Sequence, residues 1–237
     1  MRILIIGAGG VGSSAALIAA RRDFYEHIVI GDYDGDRAAA LVARIGDDRF
    51  SAIQIDASVA QAVAQACREH QITHVLNVVD PRFVMSIFEG AFLAGADYLD
   101  TAMSLSSAHP EKPHELTGVK LGDDQFAMAD AWEAKGRLAL VGIGVEPGMV
   151  DVFARYAADH LFSEIDELGV RDASDLVVHG YEFAPSFSIW TVIEECLNPP
   201  VIWEKDKGWY TTEPFSGAEV FDFPDGIGPV ECVNVEH

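Results

Sequence analysis

The run Gly7-Ala8-Gly9-Gly10-Val11-Gly12 follows the apolar segment Ile3-Leu4-Ile5-Ile6 in the spacing G-x-G-x-x-G, and Asp32 closes the next apolar run 20 residues after Gly12. Each glycine of the motif has a physical role. Gly7 permits a tight turn, Gly9 lets the backbone approach a pyrophosphate, and Gly12 lets a helix pack closely on the strand. Gly10 and Val11 add backbone N–H groups at the start of the helix expected over 13–22, whose positive dipole end faces the same anion. The alternative is a strand-turn-helix with accidental glycines. Because the strand, the helix and the distant acid all accompany the glycines, the spacing is read as a dinucleotide site. A carboxylate such as Asp32 accepts hydrogen bonds from a ribose diol and repels a 2′-phosphate, and Tyr33 rather than Arg follows it. NAD is therefore expected over NADP. Arg37 is within reach of a phosphate but is expected to be a solvated cation on the next helix.

Other candidate groups stand at strand ends. Asp100, opening Asp100-Thr101-Ala102, and Glu146, before Pro147-Gly148, are the candidate catalytic carboxylates, suited to holding an ammonium or relaying a proton; for Asp100 the competing role is a backbone cap. Asn77 could hydrogen-bond ribose or carboxamide, and Asp56 could meet the adenine amino group unless it caps the following helix. His179 has a suitable unperturbed pKa for a general base but also suits an ordinary strand position. Ser/Pro/His-rich residues 104–114 read as a lid carrying His109 and His114. Further along, Tyr181, Glu182, Ser186, Trp190 and Glu194 could line a cleft, although Trp190 and Phe187 equally suit a core. No His/Cys/Asp/Glu spacing suggests a metal, and no tyrosine has a lysine four residues later to lower its pKa. Cys67 lies in an Ala-rich helical stretch and reads as core rather than nucleophile.

The elements that must position these groups alternate. Strands are expected at 3–6, 27–32, 52–55, 74–79, 98–100 and 138–141, with helices at 13–22, 37–45, 59–70, 83–95 and 125–135. Repeated βα units with apolar strands predict an α/β fold, a Rossmann-type doubly wound parallel sheet covered on both faces, with ligands beyond the carboxyl ends of the strands. After Pro147-Gly148 the pattern changes to a helix at 149–161, strand-like segments at 166–170, 203–210 and 220–224, and a helix at 189–196. The expected division is a dinucleotide-binding domain over 1–148 and a smaller α+β substrate and dimerisation domain over 149–237. The last residues, Val233-Asn234-Val235-Glu236-His237, read as strand chemistry without a closing element, so a truncated second domain is expected.

Composition bounds the partners. The chain has 237 residues, 49% hydrophobic and 23% charged, and a formal net charge of −22, which repels nucleic acid and anionic membranes. The same acidity suits solubility in a salty environment. Three scattered cysteines form neither a disulfide framework nor a zinc signature, as expected of a cytoplasmic protein. The uncharged stretch after Arg2 is interrupted by glycines and reads as strand-turn-helix rather than as a signal peptide, and no stretch reaches the roughly 20 apolar residues of a membrane span.

Several segments in one order resemble the saccharopine dehydrogenase-like family: Gly7–Gly12, Asn77-Val78-Val79-Asp80-Pro81, Tyr98-Leu99-Asp100-Thr101-Ala102, 142–148 and Glu194-Glu195-Cys196-Leu197-Asn198-Pro199-Pro200. The resemblance implies NAD(P)-dependent hydride transfer at the carbon–nitrogen bond of an amino acid or polyamine-like amine, and a homodimer. It also implies a nucleotide-binding domain interrupted by the second domain and completed by a returning segment. Asp32-Tyr33 departs from the pair suited to a 2′-phosphate in NADP-using members. The competing reading is a non-catalytic nucleotide-binding or redox-sensing protein on the same fold.

Overall fold

The computed structural model describes residues 1–173, 177–182 and 188–236. It divides into two compact units, Met1–Leu105 with Gly122–Gly148, and Ser106–Leu121 with residues 149–237. Residues 106–121, which the sequence reading counts within the first 148, thus group with the second unit.

In the first unit the expected alternation runs as β1 (Arg2–Ile6), α1 (Gly10–Ala19), β2 (His27–Asp32), α2 (Gly35–Ile45), β3 (Phe50–Gln54), α3 (Ala60–Glu69), β4 (His74–Asn77), α4 (Val84–Ala94), β5 (Asp97–Asp100), α5 (Asp123–Phe126), α6 (Ala129–Ala134) and β6 (Ala139–Leu140). The strands form one sheet in the order β3-β2-β1-β4-β5-β6, and every pair is parallel. This is the doubly wound arrangement, with β1 central and its carboxyl end at the point where the strand order reverses.

Both sheet faces are covered, which is why the strands are apolar throughout. On one face Ile5, Ile28 and Ile30 pack with Ala16 of α1 and with Ala38 and Leu41 of α2. On the other, Leu4, Val29 and Val75 pack with Val63 and Cys67 of α3, Ile87 and Phe88 of α4, and Trp132 of α6. Helices α3 and α4 approach closely because position 90 is glycine: a Cβ there would stand 2.6 Å from Val63 Cβ. Helix α2 is bounded by local chemistry. Asp34 accepts from the backbone of Asp36 and Arg37 at its start, and Gly46, with φ of 65°, ends it.

Three expectations are corrected. The helix read over 125–135 is two short helices, α5 and α6, because the backbone of Met128, with φ of −97° and ψ of 5°, leaves the α-helical region between them. Residues 166–170 form no strand; they have no ladder partner, and Glu167 instead meets Arg171. Residues 233–236 are not strand either, although Asn234 exchanges backbone bonds with Phe215 and Ser216.

The second unit holds α7 (Met149–His160), α8 (Ile189–Leu197), and two antiparallel pairs, β7 (Val201–Glu204) with β8 (Gly208–Thr211), and β9 (Glu219–Phe223) with β10 (Gly228–Cys232). The expected lid is fastened within this unit: Ser107 and Val119 exchange backbone hydrogen bonds of 2.9 Å, and Thr211 Oγ1 lies 2.9 Å from Pro113 O. No helix among the described residues is long and apolar enough to cross a membrane.

Candidate functional site

The glycine loop leaves the carboxyl end of the central strand. Gly7 has φ of +112°, a conformation open to glycine, and its N–H donates to Gly31 O of the adjoining strand at 2.8 Å. Gly12 lies so close beneath that a Cβ would stand 1.8 Å from Gly7 O. A Cβ on Gly9 or Gly10 would instead meet nothing within 4 Å. Two glycines are thus spent on internal packing and two leave bare backbone at the start of α1, whose first turn has no side-chain cap and no acidic residue. Bare amides with open space before them suit a pyrophosphate, so the loop fits the dinucleotide that its spacing implies. Val11, 54% exposed, points away from the core.

Asp32 ends β2 beside this loop. Its Oδ2 accepts from Ala8 N at 2.8 Å and its Oδ1 from Asp34 N at 2.9 Å. Each oxygen keeps lone-pair capacity for a hydroxyl donor. The Arg37 guanidinium lies 3.9 Å from Asp32 Oδ1 and is mostly exposed. Arg37 is thus a largely solvated cation on α2, as expected, standing at the corner that holds Asp32. Asp56 is exposed and accepts from Ser58 N and Ser58 Oγ in the turn that leads into α3. Those bonds hold its carboxyl below the usual range.

The other strand ends converge on a buried polar chain. Asn77 Nδ2 donates to Tyr98 Oη at 2.9 Å, and Tyr98 Oη donates to Asp100 Oδ2 at 2.8 Å. Gln125 Nε2 donates to the same oxygen at 2.8 Å, and Gly142 N donates to Asp100 Oδ1 at 2.6 Å. Gln125 Oε1 in turn accepts from Ser104 N at 2.8 Å. Asp100 is 0% exposed, and burial raises its carboxyl above the usual range against the three donors that lower it. The structure therefore gives Asp100 no open face for a substrate, unlike the catalytic contact expected for it. Asn77, at the carboxyl end of β4, is likewise buried, with its Oδ1 accepting from Val79 N just beyond the strand. Gln125, Tyr98 and Ser104 were not singled out from sequence. The usable signal was the i, i+2 pair Tyr98 and Asp100 on one face of a strand.

Glu146 is half-buried in the turn after β6, where Gly144 N donates to Pro147 O at 2.9 Å. Cys67 is confined to the core, and burial pushes its thiol up to about 12, which removes the thiolate that a nucleophile needs. In the second unit His179, Tyr181, Glu182 and Trp190 are exposed and Glu194 is half-buried, while Ser186 and Phe187 lie outside the described residues. His114 is exposed, and His109 Nδ1 accepts from the backbone of Glu111 and Lys112 in a local turn. Among the described residues no three of His, Cys, Asp and Glu converge to hold a metal ion.

The family sequence model described as "Saccharopine dehydrogenase NADP binding domain" matches residues 3–140. Carboxynorspermidine synthase of Vibrio cholerae is 31% identical, with the match covering 100% of this chain and 58% of that protein. Carboxyaminopropylagmatine dehydrogenase of Synechocystis is 27% identical over 94% of this chain and 54% of that protein. The chain therefore spans just over half the length of the relatives it matches. Saccharopine dehydrogenase (L-Glu forming) of Saccharomyces cerevisiae superposes with a TM-score of 0.64 at 18% identity, covering 96% of this chain and 48% of that one, a likeness of fold.

Proposed function

The chain belongs to the saccharopine dehydrogenase family, and from that premise we propose that it is an NAD(P)-dependent oxidoreductase acting at the carbon–nitrogen bond of a polyamine-like amine or amino acid. The observation that carries the reading is the bare Gly9–Gly10 backbone beside the Asp32 carboxylate, itself bonded to the loop at Ala8. The relatives' names, which join a carboxyl group to a polyamine or to agmatine, support the substrate class. So does the net charge of −22, which draws polycations and repels anions.

The bound nicotinamide supplies or takes the hydride. The chain's own residues do the rest. The amides of Gly9, Gly10 and Val11 hold the pyrophosphate, Asp32 accepts from the adenosine ribose, and Asp56 accepts from the adenine amino group. Glu146, beyond the end of β6, holds the amine and moves its proton. Free thiols at Cys67, Cys196 and Cys232 accord with a cytoplasmic setting, and the working form is proposed as a homodimer. With a polyamine-like amine and a carboxylate-bearing aldehyde as the two reactants, the loss of reduced-nicotinamide absorbance should require both. Tight dinucleotide binding without turnover across a panel of amines would instead favour a nucleotide-sensing role.

The cofactor is proposed to be NAD before NADP, because Asp32 repels a 2′-phosphate, with Arg37 as the group that lets NADP bind at all. Calorimetry should give the lower Kd for NAD in the unaltered chain, and Asp32→Ser should narrow or reverse the preference. Tighter NADP binding by the unaltered chain would refute the proposed order.

A further inference from the structure

The segments that leave β5 and β6 are locked to one another from below. Ser104 N reaches Gln125 Oε1, Gln125 Nε2 reaches Asp100 Oδ2, and Asp100 Oδ1 takes the N–H of Gly142. Asp100 O also accepts from Ile143 N at 2.8 Å. Above this root the two segments touch: a Cβ on Gly144 would stand 2.7 Å from Thr101 O, and one on Gly142 would stand 2.6 Å from Met103 Cε. Asp100, Ser104 and Gln125 are each at most 3% exposed.

Position in the sheet says what this platform serves. The glycine loop follows β1 and Asp32 ends β2, so the adenosine half of a dinucleotide lies on the β2 and β3 side of the pyrophosphate. Its other half must then extend over the ends of β4, β5 and β6. We propose that the Asp100–Gln125 pair is a positioning clamp, which fixes segments 101–104 and 142–148 as one rigid floor for the nicotinamide half of the cofactor. The proposal rests on the dinucleotide reading above and adds residues that touch no ligand.

The polarity of the clamp is set by its outer donors. Two backbone N–H groups, of Gly142 and Ser104, must each find an acceptor, and Tyr98 Oη needs one as well. An aspartate at 100 serves Gly142, Tyr98 and Gln125, and leaves the Gln125 carbonyl for Ser104. An asparagine at 100 can keep Gly142 only by turning its amide toward Gln125. Gln125 then faces it with a donor, or flips and abandons Ser104, and either way a buried donor is orphaned. Exchanging the carboxylate to position 125, as in the double variant D100N/Q125E, gives an acceptor back to Ser104 and to the new amide at position 100, and leaves only the Tyr98 hydroxyl without one.

The test uses the full chain and two probes, the reduced dinucleotide and ADP-ribose, which lacks the nicotinamide. Asp100→Asn should weaken the reduced dinucleotide roughly tenfold, because binding must then reorder the floor segments that the clamp no longer holds. It should shift the bound nicotinamide emission toward that of the free cofactor and leave ADP-ribose within about twofold. D100N/Q125E should recover the part of the loss owed to Ser104 and Gln125, and not the part owed to Tyr98 Oη. Gln125→Met, which cuts the link from the other side and keeps the volume, should show the same selective loss and carries the test if Asp100→Asn does not fold. Equal weakening of both probes, no weakening of either, or no recovery in a folded D100N/Q125E would overturn the clamp. Failure of the unaltered chain to bind either probe would instead remove the dinucleotide reading, and the clamp with it.

Discussion

A Gly12→Val chain is expected not to reach the folded state. The Cβ at that position would stand 1.8 Å from Gly7 O and 2.9 Å from Gly7 C, which are backbone atoms that no rotamer change can move aside. Gly7 cannot retreat easily. Its φ of +112° and its bond to Gly31 O tie it to the centre of the sheet. Helix α1 would have to lift off β1 and take Ala16, 0% exposed, out of the core. Such overpacking belongs with the rare substitutions that cost more than about 4–5 kcal/mol, against a whole-domain stability of about 5–15 kcal/mol. Circular dichroism should show no cooperative thermal transition. A melt within a few degrees of the unaltered chain would show that the helix does not depend on this contact.

Gly9→Val should do the opposite, sparing the fold and abolishing cofactor binding. Gly9 has φ of −76°, which any residue adopts, and its Cβ would enter open space. The folding cost is then that of a poor helix cap, about 1 kcal/mol at most. The branched side chain would fill the space that a pyrophosphate needs above the amides. Affinity for the reduced dinucleotide should fall by at least about 100-fold, or about 3 kcal/mol. Unaltered affinity in a folded Gly9→Val protein would make the glycine loop a structural turn only.

The contrast between these two glycines shows what a sequence discloses. The run from Ile3 to Asp32 was legible because its chemistry is local: strand, turn, helix and second strand are neighbours in the chain, and each glycine answers to the backbone next to it. Asp100 was legible as a carboxylate at a strand end and no further. Its partners Gln125 and Gly142 come from 25 and 42 residues along the chain, and only the folded sheet brings them together. The short break between α5 and α6, at Ala127 and Met128, has no glycine or proline to mark it in the chain. Non-locality also made residues 166–170 look like a strand, since a strand exists only where a ladder partner does.

The bond from Ala8 N to Asp32 Oδ2 bears on how such a protein could change its cofactor. The residue proposed to discriminate between cofactors also serves as a strut of the loop proposed to grip them, so on that reading preference and grip are one inherited character rather than two. A substitution at 32 that removes the acceptor strands a buried amide at Ala8 and weakens every dinucleotide alike. Mutational paths toward a phosphorylated cofactor would therefore pass first through serine or asparagine, which keep an acceptor for that amide. A path beginning with alanine or leucine would leave that main-chain amide unpaired whatever side chain stood at position 8.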